Sequence, residues 1–266
     1  MTDPISFSAL FQDSVSRAAR LIAPSLPFAA LFVAAAGVLV WAAGALPDGG
    51  AGFALFSALT IAALFAHALF SAAMYRVTLN PAQGLLHSAW KLTLAWMLVM
   101  IVASIGVVII LLFFSLIGAS LGVVSGEAGQ EITDMTSQMR AGGTFWPLFA
   151  VFVMTLFGLF WFAVRMMLFA GATVIRSQVH VFRSWSWTKG HFRILAPLTI
   201  VFFILPVTLL TAAAHSVSGA IIGAADTPVK VGLSAGLSAF ILLPSAWLGH
   251  GFAASALARL LPEQSA

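Results

Sequence analysis

Six long apolar runs alternate with short polar segments along the chain, and this pattern decides the fold class. Each run exceeds the roughly 20 residues that cross a bilayer as an α-helix. We therefore predict an all-α integral membrane protein in which residues 1–266 form a single membrane domain with six transmembrane helices. The predicted spans are approximately Pro24 to Leu46, Ala51 to Tyr75, Trp96 to Val124, Phe145 to Ile175, Ile194 to Val217 and Val229 to Ala258.

Composition supports this class. Of 266 residues, 61% are hydrophobic and 8% are charged, against roughly 45 to 50% and about 25% in soluble domains. The sequence pI of about 10.4 reflects a shortage of acids, because the formal charge is only +4. We therefore predict no nucleic-acid partner, and the bilayer itself is the first expected partner.

Basic residues sort by membrane side and predict the orientation. Only Arg140 and Lys230 fall in the segments that a six-span topology places opposite the termini. By the positive-inside rule both termini are cytoplasmic, as in a multi-pass protein of the bacterial inner membrane. The basic residues on the side of the termini are Arg17, Arg20, Arg76, Lys91, Arg176, Arg183, Lys189, Arg193 and Arg259.

Local similarities suggest three tandem units, at about residues 3–76, 80–176 and 177–259, each an amphipathic interfacial helix followed by a transmembrane hairpin. The entry Arg20–Pro24 matches Arg193–Pro197, and His67 precedes Arg76 by the same nine residues that separate His250 from Arg259. Chance similarity between apolar segments is the alternative. An even number of spans per unit would keep every copy in the same orientation.

Local signals predict where the interfacial helices begin and where the spans are irregular. Asp3-Pro4 and Asn80-Pro81 each have the pattern of an N-cap followed by proline at the first helical position. Pro206 and Pro244 predict kinks in the last two spans. Three small-residue pairs predict close helix packing: Gly118 and Gly122, Gly219 and Gly223, and Gly232 and Gly236.

Basic and aromatic residues cluster at the predicted cytoplasmic surface. Such residues anchor a protein in the headgroup region, and they also suit a specific lipid-headgroup site. Both interpretations stay open. The predicted anchors are Arg20, Arg76, Trp90, Lys91, Arg176, Trp185, Trp187, Lys189, Arg193 and Arg259.

Three ionisable residues fall at membrane depth, where such residues are functional candidates. They are His67, Arg165 and His250, and threefold repetition would bring them together as a polar ring. The histidines fit three interpretations: ligands of a haem iron, a proton relay or polar gate, or packing residues bonded to carbonyls and hydroxyls. We favour packing and predict no cofactor.

No pattern of an enzyme active site stands out. No carboxylate falls in an apolar run, and no nucleophile with a neighbouring base is evident. Glu127, Glu131 and Asp134 in the outer segment 125–144 would share one helical face that suits a hard cation, but a solvated acidic cap is the simpler interpretation. We predict neither a metal site nor an enzyme.

Two short segments carry a resemblance to a known group. Ser88 to Thr93, and Ser184 to Gly190 with Trp185, Thr188 and Lys189, resemble an Ala-Trp-x-Leu-Thr-x-Gly pattern of bacterial six-span proteins. These are the membrane domain of some glycerophosphodiester phosphodiesterases and its uncharacterised stand-alone relatives. The resemblance implies an inner-membrane role tied to the envelope or its lipids, and it transfers no phosphodiesterase chemistry.

Two functional hypotheses follow. In the first, the protein is non-enzymatic and binds or transports an amphipathic or lipid-like molecule, or organises the envelope membrane. In the second, it is a scaffold or assembly subunit whose partner is another protein or a second copy of itself. A cavity between the three hairpins that reaches His67 or His250 would favour the first, and a tightly filled bundle with an exposed face of small residues would favour the second.

Overall fold

The computed structural model describes residues 6–120 (117–120 without side chains), 140–143, 145–176, 178–223 and 227–261, and every regular element in these ranges is helical. Six helical segments are long and apolar enough to cross a membrane. The all-α class and the six apolar helices of spanning length are confirmed, and they are consistent with a multi-pass membrane protein.

Several spans consist of one helix, whereas two are interrupted. The fourth is α4 continued by α5, and the fifth is α7 and α8 joined by a π-helical turn. The elements are α1 Phe7–Ala45, α2 Gly50–Leu79, α3 Leu85–Ser120, α4 Phe145–Met166, α5 Phe169–Arg176, α6 Ser184–Trp187, α7 Phe192–Thr199, the π-helical turn Ile200–Ile204, α8 Leu205–Ile222 and α9 Pro228–Leu260.

The first helix is longer than a bilayer span requires. α1 runs unbroken through 39 residues, about 58 Å at ~1.5 Å per residue, against a hydrocarbon core of ~30 Å. The predicted boundary near Pro24 between an interfacial helix and the first span is therefore wrong. Pro24 and Pro27 both lie inside α1, because a proline removes one backbone donor without ending the hydrogen bonds on either side.

The predicted helix start at Asn80-Pro81 is also wrong. Asn80 ends α2 in the left-handed conformation, and its N–H donates to the carbonyl of Arg76. Proline commonly follows such a C-cap because it cannot continue the helix. α3 begins later, at Leu85, and includes both the amphipathic stretch and the third span. Asp3-Pro4 lies outside the described residues.

The most extensive helix contact in the described part of the chain joins α1 to α9, the first and the last span. Glycines bring the two backbones together near the Trp41 end. A Cβ atom on Gly232 would lie 2.9 Å from the carbonyl oxygen of Gly37 and 2.7 Å from the Cβ of Trp41. Gly236 lies one turn further along the same face, so the predicted packing role of this glycine pair is confirmed.

A second close approach lies toward the other end of the same helix pair. A Cβ atom on Gly251 would meet the carbonyl oxygen of Ser14 at 2.8 Å and the backbone nitrogen of Ala18 at 2.7 Å. Between the two approaches, the indole N–H of Trp247 donates to the Ser25 hydroxyl at 2.9 Å. α1 and α9 are therefore matched along most of their shared length.

The other predicted glycine pairs show no close helix packing in the described ranges. A Cβ atom on Gly219 would meet open space, and Gly223 ends α8 with a φ of +59°, so neither packs a helix against a neighbour in the described ranges. Gly122 lies outside those ranges, as do Glu127, Glu131 and Asp134.

A buried cluster joins α2 to the α1 and α9 pair. Leu21 and Ala29 of α1 pack with Phe70 and Met74 of α2 and with Leu243 of α9. The side chains of Leu21, Phe70 and Met74 are fully buried. These helices form the framework that positions the candidate site.

The fifth span contains a wide turn immediately before Pro206. Residues Ile200–Ile204 are π-helical, and the N–H of Leu205 donates to the carbonyl of Ile200. A π-helical turn shifts the hydrogen-bond register, so backbone groups near the proline find partners inside the span. Pro244 lies within α9 without such a turn.

Contacts divide the described residues into two units. One comprises the chain up to Trp96 and from Val164 onward, and the other comprises Met97–Ala163. In the second unit, which holds most of α3 and α4, large apolar side chains are mostly exposed. Near the start of α4, Phe145 and Phe149 stack at 5.9 Å, with the Arg140 guanidinium 4.9 Å from the Phe145 ring. The single domain and the three repeats remain predictions.

We expect Gly251→Ala to destabilise the protein, because the new methyl group would meet the backbone of α1. Overpacking of this kind costs about 1–3 kcal/mol. Thermal unfolding in mild detergent measures the effect. The matched control is Gly219→Ala, whose methyl group enters open space. Equal melting temperatures for the two variants would contradict the close α1–α9 packing.

Candidate functional site

The His250 ring is fully hydrogen-bonded. Its Nδ1 lies 2.8 Å from the carbonyl oxygen of Ala246, and its Nε2 lies 3.0 Å from the hydroxyl of Ser71. Because a carbonyl oxygen only accepts, Nδ1 of the neutral ring donates to Ala246 and the Ser71 hydroxyl donates to Nε2. The Tyr75 ring lies 5.1 Å away. This histidine joins α9 to α2 and has the environment of a packing residue.

His67 has a different environment. Its ring lies 5.2 Å from Phe32 and 5.3 Å from Trp96, centroid to centroid, and it is only partly buried. Among the described residues, none forms a hydrogen bond with either imidazole nitrogen. The indole Nε1 of Trp96 is buried and likewise has no hydrogen-bond partner there. The Trp96 ring also lies nearly perpendicular to the Phe169 ring, with 4.9 Å between the centroids.

Aromatic rings connect the two histidines. Phe32 and Phe70 stack at 5.9 Å with an interplanar angle of 7°. Phe32 contacts His67, and Phe70 lies 6.4 Å from His250. The histidines thus lie at the two ends of a row of ring contacts between α1, α2 and α9.

Arg165 lies at the interruption of the fourth span. Its carbonyl oxygen accepts hydrogen bonds from the Ser184 hydroxyl at 2.7 Å and the Thr188 hydroxyl at 3.4 Å. The contacts of the histidines are with Ser71, Phe32 and Trp96 instead. The polar ring that sequence repetition suggested for the three residues therefore remains a prediction.

Ser184 was not singled out from the sequence, yet it stabilises this interruption. Besides donating to Arg165, its hydroxyl accepts from the backbone N–H of Leu168 at 3.2 Å. Ser184 and Thr188 are both fully buried. The serine and threonine of the second motif copy thus satisfy backbone groups that the break between α4 and α5 leaves free. In the sequence, only the four-residue spacing of Ser184 and Thr188 before a predicted span could have indicated this capping role.

The two motif copies share a local environment where they were aligned. Thr93 and Thr188 are both fully buried, and each hydroxyl donates to the carbonyl four residues earlier, at 2.9 and 3.0 Å. The aligned Trp90 and Trp185 are both exposed. This likeness is local, and the histidine environments differ.

The predicted surface anchors divide by exposure. Arg176 is half-buried and lies over the Trp187 ring at 5.2 Å, whereas Arg259 is exposed and donates to the Ala9 carbonyl at 3.4 Å. The exposed anchors are Arg20, Trp90, Trp185, Lys189, Arg193 and Arg259, and the half-buried ones are Arg76, Lys91, Arg176 and Trp187.

His180 packs beside the same arginine and tryptophan. Its backbone N–H donates to the Thr173 hydroxyl at 3.3 Å, and its ring lies 6.1 Å from Trp187. Burial lowers the pKa of His180, and the positive charges of Arg183 and Arg176 lower it further. The backbone N–H of His180 therefore joins the segment before α6 to α5, and its ring lies beside Trp187 of α6.

An apolar groove of about 660 Å³ lies between α1 and α9. Its lining comprises five residues of α1 between Val33 and Trp41 and six of α9 between Val229 and Phe240. All of them are apolar or glycine, and the groove opens at the protein surface. Neither His67 nor His250 lines it.

The chain matches no protein-family model, no curated protein and no solved structure. The resemblance carried by the segments around Trp90 and Trp185 therefore remains a prediction.

We expect Ser184→Ala to destabilise the fourth span, because the Leu168 N–H and the Arg165 carbonyl would lose a partner. An unsatisfied buried group costs about 1–3 kcal/mol. Thermal unfolding measures the loss, and hydrogen exchange at Leu168 localises it. Ser186→Ala is the control, since Ser186 is exposed and bonds only locally, to the Arg183 carbonyl. Equal exchange at Leu168 in both variants would contradict the capping role.

Proposed function

We propose that this chain is a non-enzymatic polytopic protein of the bacterial inner membrane that binds a phospholipid through one acyl chain. The observation that supports this proposal is the open apolar groove between α1 and α9. A groove of this volume falls in the range of small-molecule sites, about 300–1,000 Å³.

The dimensions of the groove suit a chain from one leaflet. From Val229 to Phe240, the α9 side extends about 17 Å at ~1.5 Å per residue, which is close to half of a ~30 Å hydrocarbon core. Gly37, Gly232 and Gly236 form a smooth floor without side chains. A flexible acyl chain can follow such a surface, because it needs no directional contact there.

The charge at one end of the groove suits a phosphate. Lys230 follows the lining residue Val229 near the start of α9 and is partly buried. At ~100° per residue its side chain lies close to the helix face that carries Leu237. We infer that Lys230 binds the headgroup phosphate of the lipid whose chain occupies the groove.

The alternative from another class is a scaffold or assembly subunit, in which a helix of a partner or of a second copy occupies the groove. Residues at helical spacing line both walls of the groove, so an apolar helix could pack against the same surface. The lipid proposal has the additional support of Lys230 at the groove end.

We further propose that both termini and the segments around Trp90 and Trp185 face the cytoplasm. The basic residues on the side of the termini support this orientation. A fluorescent-protein fusion after Arg183 should fluoresce and an alkaline phosphatase fusion there should be inactive. A fusion after Gln130 should give the reverse, and an active phosphatase after Arg183 would contradict the orientation.

We expect Val38→Trp to reduce lipid binding, because the indole would fill the groove. Photolabelling with a phosphatidylglycerol that carries an acyl-chain diazirine should mark peptides containing Leu233 and Phe240 in the parent protein. Retention of this lipid through purification, measured by native mass spectrometry, should fall about tenfold, which corresponds to ~1.4 kcal/mol.

The matched control is Leu31→Trp. Leu31 is as exposed as Val38, at 47% each, but it does not line the groove. Equal retention in the two variants would contradict lipid binding at this site. Crosslinks from a photoactivatable residue at position 38 to a protein instead of lipid would support the scaffold alternative.

A further inference from the structure

The two histidines at membrane depth have unequal hydrogen bonding. Both nitrogens of His250 are bonded, to Ala246 and Ser71. Neither nitrogen of His67 has a partner within the described ranges, and the neighbouring Trp96 indole N–H is also unpartnered there. Aligned sequence positions therefore differ in their capacity to bind a ligand.

The location of His67 makes its unpaired imidazole nitrogens energetically unfavourable. It lies nine residues before Arg76, about 13 Å along α2, within a segment able to span the membrane. Hydrocarbon supplies no hydrogen bonds, so a polar group left unsatisfied in such surroundings raises the free energy of the protein. A molecule that offers the missing hydrogen bonds recovers part of this free energy when it binds.

The chemistry of the two side chains defines the ligand. An indole N–H only donates, so the ligand must present an acceptor, and a neutral imidazole can donate to the same acceptor. No acidic side chain occurs in the apolar run around either residue, so no partner is present for a cationic ligand. The rings of Phe32 and Phe169 add apolar walls.

We propose that His67 and Trp96 form a second ligand site that binds the carbonyl oxygen of an uncharged lipophilic molecule. His67 is the accessible contact because it is only partly buried, and binding requires rotation of the Trp96 indole to expose its buried N–H. The site lies where His67 of α2 and Trp96 meet Phe32 of α1, shares no residue with the α9 groove, and does not depend on lipid binding there. His250 has a packing role.

A carbonyl can belong to a flat ring ketone or to a lipid ester. The probes are decylubiquinone for the first and dioctanoylglycerol for the second, added to protein in phosphatidylcholine nanodiscs. Nitrogen-15 spectra of histidine-labelled protein report hydrogen bonding at His67, assigned by its loss in His67→Leu. We expect one probe to shift the His67 resonance and leave His250 unchanged.

Substitutions test the same site by equilibrium binding of the responding probe. We expect His67→Leu and Trp96→Phe each to weaken binding about tenfold, as for loss of one hydrogen bond. His215→Leu should have no effect, because His215 is exposed on α8. His67→Gln, which keeps a donor and an acceptor, should retain most of the binding and serves if His67→Leu fails to fold.

The response to each probe identifies the source of the carbonyl. A response to decylubiquinone alone supports a ring ketone, and a response to dioctanoylglycerol alone supports a lipid ester. The proposal is overturned if neither probe shifts the His67 resonance, or if binding is equally strong in Trp96→Phe and the parent protein.

Discussion

The structure depends on one requirement of hydrocarbon surroundings: each backbone N–H and carbonyl must find a partner within the protein. A long helix without proline, such as α2, meets it directly. The two interrupted spans meet it in different ways. At the α4–α5 break the Ser184 hydroxyl serves both Arg165 and Leu168, and before Pro206 a π-helical turn supplies the bond to Ile200.

The same requirement distinguishes packing residues from ligand sites. Side-chain hydroxyls in these helices mostly donate to a carbonyl of the preceding turn, as Thr93 and Thr199 do. His250 follows this rule with Ala246 and adds a bond to Ser71. His67 has no such bond among the described residues. Inside an apolar span other partners are scarce, so an unpaired histidine there indicates a ligand site.

Much of the fold follows from the sequence, because bilayer thickness fixes the length of a span. The six apolar runs could be predicted from this length. The packing of Gly232 and Gly236 could be predicted from the spacing of small residues on one helix face. The helix boundaries could not, since Pro24 is accommodated within a helix and Asn80 suits a C-cap as well as an N-cap. The Ser71 hydroxyl that bonds His250 lies 179 residues away in the sequence, and the Arg165 carbonyl that bonds Ser184 lies 19 residues away. Neither local periodicity nor composition predicts these pairs.

The pairing of α1 with α9 has a consequence for biosynthesis. α1 has its most extensive contact with a helix that is translated much later, and the Trp247–Ser25 bond spans 222 residues. Until α9 is inserted, the α1 face that carries Ser14, Ser25 and Gly37 has no matching surface. The pairing of α1 with α9 therefore follows the insertion of both helices, and the glycine-lined seam closes only on chains translated through α9.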